Sequence, residues 1–221
     1  MFVYTLDGLE IDGDQAQDIE IEDNEITARS GVYGVFSKIF TLPNDESYTV
    51  SVNGAWPAQL REVAALLAFD TDFGVAALSE SVSQDEYAAG YQSIFEAENA
   101  PAAILSGEYG DGDRQTRVDE IKRIFEYFGL KASNDAARSP DHLATGLEFM
   151  QYLAFKEAAS ASPRLAGSFH RAQEEFLERH LIRWLPEFAD RVEAVDALPI
   201  WVWASQAVSA FTQSDLDYLS S

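Results

Sequence analysis

Residues 139–157 read SPDHLATGLEFMQYLAFKE and contain the clearest helical pattern in the chain. The apolar residues Leu143, Leu147, Met150 and Leu153 recur at steps of three and four, which places them on one face of a helix. The proline and polar residues before Leu143 are typical of a helix start. The pattern therefore predicts an amphipathic helix that must pack against other elements.

The same spacing recurs along most of the chain. It predicts further helices from residue 28 to 43, after residue 57, from 83 or 85 to 95, over 118–128, from 169 to 186, and from 199 to 211. Residues 44–54 are polar and predict a connection. Because β signals are nearly absent after residue 27, the predicted fold class is all-α, a bundle of helices.

The domain organisation follows from the segments between these helices. Residues 1–27 are acidic, with a short alternation around Ile19, Ile21 and Ile26, and predict either a short hairpin or a flexible leader. Residues 28–212 form the helical domain and 213–221 a C-terminal tail. The loop at 99–113, rich in glycine, is either a hinge between two helical subdomains or a surface turn.

The composition excludes several classes of protein. With 38 acidic and 15 basic residues among 221, the chain has a formal net charge of −23 and should repel nucleic acid. Two explanations of this charge are open: a surface adapted to high salt, or attraction to a basic partner. The sequence lacks a long apolar run and a basic N-terminal region, so we expect no stable membrane insertion, no signal peptide and a cytoplasmic location.

No metal or cofactor site is predicted. Cysteine is absent, and the three histidines, at 142, 170 and 180, do not form a pair four residues apart on a helix. Residues 107–113, GEYGDGD, are glycine-rich but lack the Gly-Lys-Ser/Thr of a phosphate-binding loop, and their carboxylates would repel phosphate.

Asp141 and His142 are the sharpest site candidates. A carboxylate and an imidazole at a helix start could bind a cationic peptide. Alternatively, Ser139 or Asp141 merely caps the helix, which is worth about 1 kcal/mol. Both interpretations are open at this point.

Two aromatic pairs are further candidates. His180 and Trp184 lie four residues apart on one helical face, as do Tyr91 and Phe95. Each pair could wall a groove, although an aromatic stripe at this spacing usually belongs to a core.

The order of these elements resembles the TorD/DmsD/NarJ family of redox-enzyme maturation chaperones, in particular the TorD/DmsD branch. The resemblance covers residues 28–212. It is carried by five motifs in order: Arg29-x-x-x-Tyr33-x-x-Phe36-x-x-x-Phe40-x-x-Pro43, Tyr91-x-x-Ile94-Phe95, Pro101 with Ser106-Gly107-Glu108-Tyr109, Pro140-Asp141-His142-Leu143, and Phe176-Leu177-x-x-His180-Leu181-x-x-Trp184-Leu185-Pro186.

The resemblance implies a TorD-like helical domain without catalytic activity. It implies a cytoplasmic chaperone that binds the twin-arginine leader or apo form of a molybdopterin oxidoreductase catalytic subunit, of the DMSO reductase family, until cofactor insertion. Its peptide site would comprise Asp141, His142, His180 and the three walls Tyr91, Phe95 and Trp184, with Asp141 and His142 meeting polar or arginine groups of the leader. The protein would be a monomer or a domain-swapped dimer. Alternatives are a small α-helical hydrolase using Asp141 and His142, or a structural assembly subunit.

Overall fold

The structure is a computed structural model that describes residues 9–11, 24–132 and 138–221. Helices make up most of it: α1 Glu25–Ile39, α2 Asp45–Val52, α3 Ala55–Val63, α4 Gln84–Tyr91, α5 Arg114–Tyr127, α6 Leu143–Ala158, α7 Pro163–Phe176, α8 Leu185–Glu193 and α9 Pro199–Leu219. Within these residues there are also two strands, β1 Leu9–Ile11 and β2 Leu130–Ala132. The all-α prediction is confirmed.

Helices α1 and α6 form the centre of the bundle. Both are buried on nearly every face, which explains why their sequences are apolar beyond a single stripe. Gly34 of α1 lies directly against Gln151 of α6, and a Cβ atom at position 34 would come within 2.8 Å of the Gln151 amide nitrogen. The two backbones therefore approach closely, and the other helices pack around this pair.

Two helices were missed by sequence. Residues 44–54, expected to be a connection, contain α2, whose capping box joins the Asn44 side chain to the Ser47 backbone and the Ser47 hydroxyl to the Asn44 backbone. Pro186, expected to end a helix, lies in the first turn of α8, where its missing N–H costs nothing. Residues Leu177–Leu181, which follow α7 directly, continue it as a π-helix.

The acidic N-terminal segment contributes a strand to the domain. Strand β1 pairs antiparallel with β2, with Glu10 opposite Lys131. Ile26, which was expected in a β alternation, lies in α1. Residues 1–8 and 12–23, including Ile19 and Ile21, lie outside the described residues.

Buried apolar side chains from both sides of residues 99–113 belong to one hydrophobic cluster. The loop itself contains a single 3-10 turn, Ser106–Glu108. The division into two subdomains with a hinge stays a prediction.

The segment expected to be a C-terminal tail is part of the bundle, which corrects that boundary. Helix α9 continues to Leu219, and Asp215 is fully buried against Arg29 of α1. The sequence prediction ended the domain at residue 212 because the buried residue beyond it, Asp215, is charged and its partner is distant in sequence. Among the residues that the structure describes, every helix is too short or too polar to cross a lipid bilayer.

Candidate functional site

Asp141 lies just before α6 with its side chain completely buried. Its carboxylate accepts hydrogen bonds from Arg114 Nε at 3.1 Å and Nη2 at 3.3 Å, from the Gly107 N–H at 3.2 Å, and from the Ser139 hydroxyl. Burial by itself would raise the pKa of Asp141, but the bonds from Arg114 and Ser139 outweigh it and lower that pKa. Asp141 is therefore a buried, ionised carboxylate.

The loop before α5 holds Asp141 in place. The Ser106 N–H donates to the Asp141 carbonyl at 2.9 Å, and the Leu143 N–H donates to the Ile104 carbonyl at 3.0 Å. Gly107 lies under the Arg114 stem, and a Cβ atom there would collide with the Arg114 Cγ and Cδ atoms. Glycine at this position thus lets the arginine reach the carboxylate.

His142, rather than Ser139 or Asp141, is the N-cap of α6, which corrects the capping prediction. Its Nδ1 accepts from the Ala144 N–H at 3.1 Å, so the hydrogen of the neutral ring lies on Nε2. That Nε2 atom is buried and has no hydrogen-bond partner within the part of the chain that the structure describes; Glu96 Oε1 is 3.8 Å away. Burial lowers the pKa of His142, which keeps the ring neutral.

His180 and Trp184 lie together, as predicted for one helical face. The Trp184 indole N–H donates to the His180 carbonyl at 2.7 Å. The indole also packs against the Tyr109 ring, with 5.0 Å between the ring centroids. The His180 Nε2 atom is also buried, and none of the described residues hydrogen-bonds to it; Glu120 Oε1 is 3.9 Å away. Burial lowers the pKa of His180 as well.

A cleft of about 480 Å³ opens beside this pair. We call it the α5–α8 cleft; its lining is Ser106, Tyr109, Gly110, Asp111, Gly112, Asp113, Thr116, Arg117, Glu120, Arg179, His180, Arg183, Trp184 and Glu187. Most of its cations are already engaged: Arg117 donates to two backbone carbonyls, and Arg179 pairs with Glu120 at 3.2 Å. Its surface thus offers both carboxylates and aromatic area.

A smaller pocket of about 10 Å³ adjoins the cleft and is lined by Asp141 and His142. The cleft and this inner pocket share Ser106, His180 and Trp184. Ser106 Oγ, His142 Nε2 and His180 Nε2 are buried polar atoms without a partner among the described residues. Buried polar groups are nearly always hydrogen-bonded, so three such atoms at one place mark a position where polar groups of a ligand can bind.

Sequence comparison identifies the family. The family described as "Nitrate reductase delta subunit" matches residues 53–190, more than half of the chain. The chain belongs to this family. The recognition of the TorD/DmsD/NarJ family is thereby confirmed.

Three proteins with sequences similar to this chain are assembly or TorD chaperones by name. The selenate reductase assembly chaperone protein of Thauera selenatis is 37% identical over 130 residues, which are 55% of this chain and 63% of that protein. The perchlorate reductase assembly chaperone protein of Dechloromonas aromatica is 27% identical over 200 residues, 86% and 89% of the two chains. Chaperone protein TorD of Vibrio cholerae is 30% identical over 98 residues, 44% of each. The chain thus spans less than two thirds of the length of the first and third.

The second predicted pair, Tyr91 and Phe95, lies outside the lining of the α5–α8 cleft. Tyr91 and Phe95 are buried and do not line the cleft; the Tyr91 hydroxyl donates to the Phe40 carbonyl at 2.8 Å. The Phe95 ring packs on the Phe188 ring with 5.7 Å between ring centroids, and the Phe188 ring packs on the Trp184 indole with 5.6 Å between centroids. They support the cleft from behind and are not an open wall.

Sequence reasoning missed Arg114, Tyr109 and Glu120. Arg114 follows the glycine-rich loop in the first turn of α5, a place where a side chain can turn back over the loop, but nothing local pairs it with Asp141. Across the described ranges, no group of three or more acidic or histidine residues is arranged to hold a metal ion.

Proposed function

We propose that this protein is an assembly chaperone that binds the precursor of a molybdopterin oxidoreductase catalytic subunit, of the DMSO reductase family. Family membership and the names of similar proteins support this role. The observation that carries the site is that the α5–α8 cleft and its inner pocket are lined by three buried polar atoms, Ser106 Oγ, His142 Nε2 and His180 Nε2, without hydrogen-bond partners among the described residues. The protein would act in the cytoplasm, as a monomer or a domain-swapped dimer.

The cleft is sized for part of a peptide. A volume of about 480 Å³ lies in the range of small-molecule pockets, about 300–1,000 Å³, and holds a few side chains. We therefore assign it the anchoring side chains of a twin-arginine leader, while the rest of the leader lies on the surface. Apolar leader groups would contact Trp184 and Tyr109, and Asp141, His142 and His180 would meet polar ones. Tyr91 and Phe95 would position Trp184.

Such binding needs no chemistry at the site. Asp141 and His142 do not hydrogen-bond to each other, because Asp141 is surrounded by donors and His142 caps a helix through Nδ1. An acid–base pair of the kind a hydrolase would use is not assembled. Proteins of this family are chaperones, and we propose the same non-catalytic role: holding the precursor until its cofactor is inserted.

The test is capture of a molybdoenzyme precursor from cells starved of the cofactor. Asp111 is an exposed carboxylate lining the cleft, so Asp111→Lys should weaken capture, and more strongly at low salt. Asp217→Lys makes the same charge change on an exposed position of α9, outside the cleft lining, and is the matched control. Equal capture by wild type and both variants would refute the cleft as the binding surface. No capture by any of them would refute the chaperone role.

A structural subunit would behave differently in the same experiment. It would copurify in fixed stoichiometry with the finished oxidoreductase from cofactor-replete cells, whereas a chaperone would be recovered with the immature form.

A further inference from the structure

We infer that Arg114 occupies the position on Asp141 that an arginine of the bound precursor takes. The precursor, called the client below, would bind by displacing Arg114. This inference rests on the proposed function. It adds a mechanism: the site is closed by one of the chain's own guanidinium groups, and recognition is an exchange of one arginine for another.

The two partners differ strongly in burial. The Asp141 side chain is 0% exposed and the Arg114 side chain is 42% exposed. The guanidinium thus reaches the buried carboxylate from the solvent side, so the route by which Arg114 leaves is also a route by which another guanidinium could enter.

The carboxylate keeps its other donors when Arg114 leaves. The Gly107 N–H comes from the 99–113 loop and the Ser139 hydroxyl from the segment just before Asp141, so two donors besides Arg114 bond the carboxylate. A buried carboxylate left without a cation is strongly unfavourable, which disfavours an empty site. An exchange avoids that state, since Arg114 bonds both carboxylate oxygens and an incoming guanidinium can bond the same two.

Arg114 can leave without unfolding its helix. The N-cap of α5 is Asp113, whose carboxylate accepts from the Thr116 N–H at 2.8 Å. Glu108 is exposed and close enough to stabilise the Arg114 charge. A displaced Arg114 therefore finds solvent and a nearby carboxylate.

Two properties follow. The site should prefer arginine to lysine, because an ammonium group cannot make the two-pronged contact. The client should bind less tightly than the contacts alone would allow, since Arg114 competes with it, and the return of Arg114 should speed release.

The main test compares Arg114→Ala with wild type by calorimetry of the full-length chain. The probe is a synthetic molybdoenzyme leader peptide with two consecutive arginines, and a second peptide carries lysines in their place. We expect Arg114→Ala to bind the arginine peptide about tenfold more tightly, equivalent to about 1.4 kcal/mol, with no gain for the lysine peptide. Arg123→Ala removes the same charge from an exposed position of α5 and should match wild type.

A second measurement reads the exchange without a peptide. Ethylguanidinium should raise the melting temperature of Arg114→Ala and leave wild type and an Arg114→Ala/Asp141→Asn double variant unchanged; ethylammonium should have no such effect. Should Arg114→Ala not fold, Arg114→Lys retains the charge and should show a smaller gain for the arginine peptide.

The outcomes separate the two proposals. If wild type binds the arginine peptide and Arg114→Ala binds it no better, or gains equally for both peptides, the exchange is wrong and the chaperone role stands. If neither protein binds the peptide, leader binding fails and the exchange fails with it. A specific gain together with ethylguanidinium rescue supports both.

Discussion

The buried ion pair between α1 and α9 leads to a strong prediction about stability. Asp215 accepts from Arg29 Nε and from Arg29 Nη2 at 3.0 Å, and it also accepts from the Tyr33 hydroxyl. All three side chains are fully buried. Asp215→Ala would leave the Arg29 guanidinium in the core without its main counter-charge.

The expected cost can be worked from the remaining partners. Removing one member of a buried ion pair costs about 3–5 kcal/mol. Arg29 would keep the Gln173 amide oxygen at 2.8 Å and the Glu157 carboxylate at 3.6 Å, so the lower end applies. We expect a loss of about 3 kcal/mol, which for a chain of this size lowers the melting temperature by about 6–12 °C.

Urea unfolding followed by circular dichroism measures this loss. Asp217→Ala is the matched control, since it removes an exposed carboxylate two residues away on α9 and should change stability by less than about 0.5 kcal/mol. A loss for Asp215→Ala below about 1 kcal/mol, or equal to that of the control, would refute the assignment of this pair as the link between α1 and α9.

Three further predictions concern packing, pH and capping. Gly34→Leu should cost about 1–3 kcal/mol in urea unfolding, because its side chain must enter the space of Gln151; an unchanged midpoint would contradict the close approach of α1 and α6. Burial lowers the pKa of His142 and of His180, so the unfolded chain binds more protons than the folded one. The stability that these neutral rings contribute is therefore complete above about pH 6.5 and is lost as the pH falls through their folded-state pKa values. The loss is no more than about 1.4 kcal/mol per pH unit for each ring. Unfolding titrations of a His142→Asn/His180→Gln variant should show a flatter decline, and an identical decline would argue against buried neutral rings. Asn44→Ala should lose about 1 kcal/mol by removing the cap of α2, and calorimetric melting that is unaffected would count against that helix.

Sequence reasoning was reliable where the structure depends on local periodicity. The helix over Leu143–Ala158 was predicted because its apolar residues repeat at the helical period, and the same holds for α1, α5 and α9. Helix α2 was missed because it is short and only half-buried, so it lacks a continuous apolar stripe; its capping box was the available signal.

The pairing of charges was decided by the tertiary structure. Arg114 and Asp141 are 27 residues apart, and Arg29 and Asp215 are 186 apart, so neither pair leaves a mark on a local pattern. Periodicity also cannot say which aromatic pair faces a cleft: Tyr91 and Phe95 are enclosed by α1, α8 and α9, while Trp184 borders the cleft. By itself the sequence determined the helical class, most of the helices, the family and part of the site, including Asp141, His142, His180 and Trp184, since these depend on neighbours along the chain. Which of those residues are open to a partner was decided by the packing of helices that are distant in sequence, because exposure depends on what covers a side chain.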